Sequence, residues 1–281
     1  MEKVAVTGGS GRLGRAVLQE FHAHGYRTSN FDVIEDSGLA DRFTRGDILD
    51  QEAVERWLSG HEGLIHLAAI PAPGIASDDW LTMVNVVGTA RVLRAAARQG
   101  IRRIVLASSV SALGLAWGRR FMPRYFPIDE EHPLWPEEAY GVSKVVNELY
   151  GMAHARLHDC RVTMLRFPTI LDAANKAPFV SSLERDPEMA ARLLWSYVEV
   201  GDAARACRLA LSAESSGGHA YYIVAGDHLA GERIETLLVD YYPGVVRTQR
   251  FVATASLISS AAAGIDLGWT PEVAWGSFHA P

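Results

Sequence analysis

The chain has 281 residues, 48% of them hydrophobic, and a formal net charge of −6, enough to bury a full core as one large domain or two unequal lobes. No run of Lys or Arg gathers into a stripe that could follow phosphates along a duplex, so nucleic acid is excluded as a partner. The two cysteines, Cys160 and Cys207, are too few for a disulfide framework and lack the spacing and neighbouring His pairs of a zinc site, so both read as reduced thiols and no metal is expected.

MEKVAVTGGS enters a short apolar run and then glycines, unlike the long apolar stretch of a signal peptide. No later segment reaches the roughly 18 apolar residues of a membrane span. A cytoplasmic protein without a membrane partner is expected. Strands are predicted at Val4 to Thr7, Thr28 to Phe31, Gly63 to Leu67, Ile104 to Ala107 and Val162 to Arg166. Helices are predicted at Leu13 to His24, Gln51 to Ser59, Leu81 to Gln99 and Tyr140 to Leu157, where apolar residues recur at three and four. This alternation implies an α/β protein with parallel strands joined by right-handed crossovers. It weakens after Phe167, where Pro168, Pro178 and Pro187 punctuate the chain. A division into 1–167 and a smaller lobe at 168–281 follows, with a helix around Ala203 to Ala213 and a strand at Ala220 to Val224 crossing back to the first part at about 197–225.

The first strand runs into Thr7-Gly8-Gly9-Ser10-Gly11-Arg12-Leu13-Gly14 with a helix directly behind it. Glycines there permit a tight turn and close approach of backbone to a pyrophosphate, while helix N-terminal amides face the anion. Cofactor contacts are expected at Gly8, Gly11, Arg12, Leu13 and Gly14. Asp32, at the end of the second strand and about twenty residues on, is placed to accept hydrogen bonds from the adenosine ribose and to repel a 2′-phosphate. NAD is favoured over NADP, although Arg12 and Arg27 lie close in sequence. Asp47 and Ile48, after a further candidate strand, are expected to border the adenine, and Leu67, Ala68 and Ala69 to offer a small-residue edge. His66 reads as a packed strand residue.

Tyr140 and Lys144 stand four apart and would share one helix face. A neighbouring ammonium and a positive nicotinamide would favour the phenolate of a tyrosine whose ordinary pKa is near 10. The strand end Leu106-Ala107-Ser108-Ser109-Val110-Ser111 brings hydroxyls to the carboxyl edge, with Ser109 expected to bind the reacting oxygen and Ser111 beside it.

Together these segments resemble an extended short-chain dehydrogenase/reductase of the sugar epimerase and dehydratase family. The resemblance covers Thr7 to Gly14, Asp32, His66 to Ala69, Asn85 within Asn85-Val86-Val87-Gly88-Thr89, Ser108 to Gly114, Tyr140 to Lys144, Leu165-Arg166-Phe167 and Tyr197 to Ala204. It implies a Rossmann-type doubly wound parallel sheet with a small C-terminal substrate lobe. It also implies NAD as cofactor, a carbohydrate substrate, and Ser109, Tyr140 and Lys144 as the catalytic set. Three departures bear on substrate. Leu113-Gly114 stands where the family has Tyr-Gly. An Arg- and aromatic-rich stretch, Leu115 to Phe126, follows. The interval from Phe167 to Tyr197 is short, as in uronate dehydrogenases acting on free sugar acids. Arg119, Arg120, Arg124 or Arg166 would then meet a carboxylate. Ser109 is followed by Val110 rather than the dehydratase Asp-Glu pair. Epimerase, net dehydrogenase of uronic acids or aldoses, and a non-catalytic NAD-binding member remain the competing readings. A homodimer is expected through the helices Leu81 to Ala97 and Tyr140 to Leu157.

Overall fold

A computed structural model describes residues 3–35, 38–118 and 121–277. In its first part, β1 (Lys3–Thr7), α1 (Arg12–Ala23), β2 (Arg27–Asp32), β3 (Arg42–Arg45), α2 (Gln51–Leu58), β4 (Gly63–His66), α3 (Asp78–Thr82), α4 (Thr89–Arg98) and β5 (Arg103–Ser109) follow one another. Then come β6 (Tyr125–Phe126), α5 (Ala139–His158), β7 (Arg161–Phe167), β8 (Thr169–Leu171), α6 (Ala173–Arg185), α7 (Pro187–Arg192) and β9 (Tyr197–Glu199). The last elements are α8 (Val200–Ser212), β10 (Gly217–Tyr222), α9 (Ile234–Tyr241), β11 (Val246–Arg247) and α10 (Ala261–Leu267).

Among the described residues a seven-stranded sheet runs β10-β7-β5-β4-β1-β2-β3, every neighbour parallel. The sequence order reverses between β1 and β4, and the crevice beyond their carboxyl ends is where such sheets receive ligands. Helices cover both faces, so β1, β4, β5 and β7 are buried along successive residues rather than in alternation. One core packs Val4, Val6, Val105 and Leu165 against α1 and α8. The other packs Ala5, Leu64, Leu106 and Met164 against α2, α4 and α5. No helix among the described residues is long and apolar enough to cross a membrane.

The stretch expected as one helix from Leu81 starts earlier, at Asp78, where Ser77 caps the first turn. It is also interrupted by a π-helical turn at Met83–Gly88. There the Asn85 carbonyl accepts from the Thr89 hydroxyl at 2.6 Å and from Asn147 Nδ2 at 2.9 Å, and side chains in the ladder of this kind widen a helix locally. A separate core joins Leu113, Leu115 and Phe126 to α7, α9 and the segment at Leu257 and Ile258. Within the Leu115 to Phe126 stretch, Leu115, Ala116 and Phe126 are spent on packing this core.

Candidate active site

Gly8 turns the chain out of β1 with φ +74°, and a Cβ there would fall 2.6 Å from the Ala68 nitrogen. The glycine lets the turn lie against the end of β4. A Cβ on Gly14 would meet the Gly8 carbonyl oxygen at 2.2 Å, whereas one on Gly11 would meet it at 3.3 Å. Gly11 caps α1 without a side chain, and the first turn holds no acid. The amides opening α1 are therefore offered to an outside anion.

Asp32 and Asn30 brace this loop from β2. The Asp32 carboxylate accepts from the Ser10 amide at 3.0 Å and the Ile34 amide at 3.1 Å. Asn30 accepts from the Gly9 amide at 3.0 Å and donates to Ser10 Oγ at 3.1 Å. Each Asp32 oxygen retains capacity for a ribose hydroxyl. Leu67, Ala68 and Ala69 are half-buried where β4 ends. Asp47 is tied to its own turn through the Leu49 amide at 2.8 Å. Ile48 is buried, and a Cβ on Gly88 would strike it at 2.6 Å. A glycine cradle, an uncapped helix start and an acid at the neighbouring strand end together fit an adenine dinucleotide.

At the end of β5 the Ser109 hydroxyl donates to Ser111 Oγ at 3.2 Å and accepts from the Ser111 amide at 3.1 Å. Tyr140 lies in the first turn of α5, which Glu138 caps by accepting from the Tyr140 and Gly141 amides, both at 2.6 Å. Burial pushes the Tyr140 phenol up to about 12; a hydrogen bond with Ser109 works against that, and the Glu138 charge adds to it. Lys144, one turn on, is drawn down to about 8 by burial, opposed by the Glu148 charge. Its ammonium donates to the Ala107 carbonyl at 2.9 Å and sits 5.3 Å from the Tyr140 ring centroid. In the protein alone, desolvation is the leading influence on the Tyr140 phenol.

The structure thus brings Ser109, Ser111, Tyr140 and Lys144 together. Asn85 was visible in the sequence only through the family motif. Its side chain accepts from the Ile70 amide at 2.8 Å and donates to the Ile70 carbonyl at 3.0 Å and to Ser143 Oγ at 3.3 Å, pinning the β4 loop to α5. His66, as expected, is packed: it bridges Thr7 Oγ1 at 2.7 Å and Thr89 Oγ1 at 2.9 Å. Arg12 turns its side chain outward to Asp172 at 3.1 Å, leaving its backbone at the helix start. Arg166, expected among the substrate contacts, is instead buried with both Glu148 oxygens engaged at 2.9 and 2.8 Å. Arg124 is exposed over the Trp135 ring at 4.6 Å. Arg119 and Arg120 lie outside the described residues.

In sequence, the chain is 29% identical to an L-arabinose 1-dehydrogenase (NAD(P)(+)) of Haloferax volcanii over 221 residues, covering 76% of this chain and 84% of that one. It is 26% identical to a UDP-glucose 4-epimerase of Corynebacterium glutamicum over 308 residues, covering 96% and 91%. In fold it matches a short-chain dehydrogenase/reductase superfamily protein of Agrobacterium tumefaciens with bound NAD, with a TM-score of 0.77 and 23% identity over 99% of this chain and 94% of that chain. The family model for the NAD dependent epimerase/dehydratase family matches residues 4–226. With four-fifths of its length inside that match and the cofactor cradle in place, the chain belongs to the NAD-dependent epimerase/dehydratase family, whose cofactor is NAD.

Proposed function

We propose that this enzyme oxidises a carbohydrate at a hydroxyl-bearing carbon, with Tyr140 as the base. The observation that carries the reading is the meeting of Ser109, Tyr140 and Lys144 at the end of β5, two strands from the glycine turn. Bound NAD supplies the hydride acceptor. Tyr140 takes the hydroxyl proton, Ser109 and Ser111 hold the substrate oxygen, and the Lys144 ammonium keeps a positive charge beside the phenolate. Gly8, Gly11, Arg12, Leu13, Gly14, Asp32, Asp47, Leu67, Ala68 and Ala69 form the cofactor's side of the crevice, and Ile48 supports it from beneath. Residues 1–167 with the returning 197–225 segment hold the cofactor, and the rest of 168–281 holds the sugar.

Epimerase and dehydrogenase share this first step and differ in whether the keto sugar is retained. One observation favours a net dehydrogenase of a free aldose or uronic acid. In the short lobe segment, Arg185 is bound to the Ser181 carbonyl, Arg192 is paired with Asp186 and Glu188, and Lys176 lies over Trp275. Each of these cations already has a partner within the protein, which argues against a dedicated site for a nucleotide diphosphate in this segment. The sugar-acting arabinose dehydrogenase relative supports the same choice. Two buried free thiols suit a reducing, cytoplasmic compartment. Apolar side chains exposed on α3 and α5 support a homodimer.

Absorbance at 340 nm with NAD and panels of aldoses, uronic acids and nucleotide sugars tests the reading. Steady NADH formation from a free sugar is expected, with the Tyr140→Phe variant slower by about 10²- to 10⁴-fold and still able to bind NAD. Sugar inversion seen by NMR without net NADH would make it an epimerase. Cofactor binding with neither signal would leave a non-catalytic protein.

A further inference from the structure

Glu148 lies one turn beyond Lys144 and two beyond Tyr140 on α5, and all three side chains are buried. Its Oε1 accepts from Ser108 Oγ at 2.6 Å and from Arg166 Nε at 2.9 Å, and its Oε2 accepts from Arg166 Nη2 at 2.8 Å. Ser108 and Arg166 are register partners on β5 and β7. One carboxylate therefore ties the helix bearing Tyr140 and Lys144 to the strand that ends in Ser109 and to the next strand of the sheet.

Packing does not require a charge here. A buried ion pair is weak evidence for stability, because desolvating two charges consumes most of what their attraction returns, and apolar residues of like volume serve as well or better. What apolar residues cannot supply is a fixed negative charge one turn from an ammonium. We propose that Glu148, held by Arg166, is a positioning residue that keeps Lys144 protonated and aimed at the Ala107 carbonyl and the Tyr140 ring. Arg166 has its own part. By taking both carboxylate oxygens in a fork, it stops Glu148 from swinging back along the helix and capturing Lys144 directly. The titratable and charged groups around Lys144 are Tyr140 and Glu148 on its own helix, His66 on β4 and Arg166 on β7 behind Glu148. His66 is neutral at working pH, being held far below its ordinary value. Glu148 is then the only negative charge among these groups at neutral pH. The assignment explains why an arginine that sequence reasoning sends to the substrate is spent inside the protein. It rests on the Tyr140 and Lys144 reading of the site.

The chain has three lysines, Lys3, Lys144 and Lys176, so ¹³Cε-lysine NMR follows each titration separately and needs neither substrate nor turnover. In the wild type Lys144 should titrate well below the ordinary lysine value. In Glu148→Gln its midpoint should fall by a further one to two pH units, roughly the effect of losing an opposite charge at close range, with Lys3 and Lys176 unmoved. Glu148→Asp should recover part of the shift. Arg166→Lys, which keeps the charge and loses the fork, is the second variant should Glu148→Gln not fold. There the freed carboxylate should move the Lys144 midpoint upward. Ser108→Ala, which removes a hydrogen bond and no charge, should leave it in place. A Lys144 midpoint that stays at the wild-type value in whichever of Glu148→Gln and Arg166→Lys folds would reduce the pair to a structural tie. Loss of turnover alone, with these shifts present, would count against the proposed reaction and not against this assignment.

Discussion

At the end of β4, His66 is clasped by two threonine hydroxyls, and its pKa is drawn down to about 3, by burial first and by the Lys144 charge second. A histidine at a ligand crevice is the ordinary candidate for acid-base work near neutral pH, but one drawn down to about 3 stays neutral there and is confined to hydrogen bonding. The linkage follows in sign. The folded-state pKa lies below the unfolded value of about 6.5, so the unfolded chain binds the extra proton in between. Stability is complete above pH 6.5 and is lost as pH falls toward 3, at up to about 1.4 kcal/mol per pH unit for this one group. Denaturation in urea at pH 7 and pH 4.5 should show that loss. His66→Gln, which can keep hydrogen bonds to Thr7 or Thr89 without titrating, should be less sensitive to acid than the wild type even if it is less stable at pH 7. Equal acid sensitivity in the two proteins would mean that His66 is accessible to protons in the fold.

The glycine turn separates two demands that a motif merges. A Cβ on Gly14 runs into the Gly8 carbonyl at 2.2 Å and the Gly9 Cα at 2.6 Å, so Gly14→Ala must displace backbone where α1 meets β1. A Cβ on Gly11 reaches nothing nearer than 3.3 Å. It would project where the amides of the helix start await an anion. Gly11→Ala should keep its melting temperature within a few degrees of wild type yet bind NAD at least about tenfold more weakly, while Gly14→Ala should lose both stability and binding. Calorimetry and thermal melting together decide it: normal affinity in Gly11→Ala would mean that the pyrophosphate lies elsewhere. Such elements were legible in sequence wherever short-range rules act. The five central strands, the helices beginning at Leu13 and Tyr140, and the i, i+4 placement of Tyr140 and Lys144 follow from periodicity and spacing. What escaped depends on contacts distant in the chain. The strand expected ahead of Asp47 carries no legible bounds in the sequence, because β3 is only Arg42–Arg45, with no fully buried residue to mark it. The π-helical turn rests on Asn147 reaching across from α5 to Asn85, 62 residues away. The pairing of Arg166 with Glu148 escaped for the same reason: the two belong to different elements, and only the packing of α5 on β7 makes them a pair.

Over the whole molecule, the C-terminal segment is strapped down by carboxylates. Buried Asp202 accepts from the Glu272 and Val273 amides, each at 2.9 Å through Oδ2, and Trp269, fully buried, donates its indole N–H to the Asp202 carbonyl at 3.0 Å. The strap closes the molecule on the α8 side of the sheet. The α5 side is left unlike it. The inward face of α5 carries Tyr140, Lys144, Asn147, Glu148, Gly151 and Ala155, and the sheet covers it. On the outward face Val142, Leu149, Tyr150 and Leu157, spaced seven or eight apart, stay exposed, Leu157 at 78%, with Trp80 and Met83 exposed on the neighbouring helical stretch. A helix that is apolar on two sides calls for two neighbours, and a lasting interface must bury at least about 1,000 Å² in total. A second copy meeting this face about a two-fold axis would cover it with its own equivalent residues. Sedimentation equilibrium at micromolar concentration should then give twice the chain mass for the wild type and the single-chain mass for a Leu149→Glu, Leu157→Glu variant, because two carboxylates per chain would be buried against their symmetry mates. A wild type that sediments as one chain would sink the dimer and leave the patch solvated. If the variant dissociates, its turnover should also fall, since the helix that loses its outer support is the one that holds Tyr140 and Lys144 against Ser109.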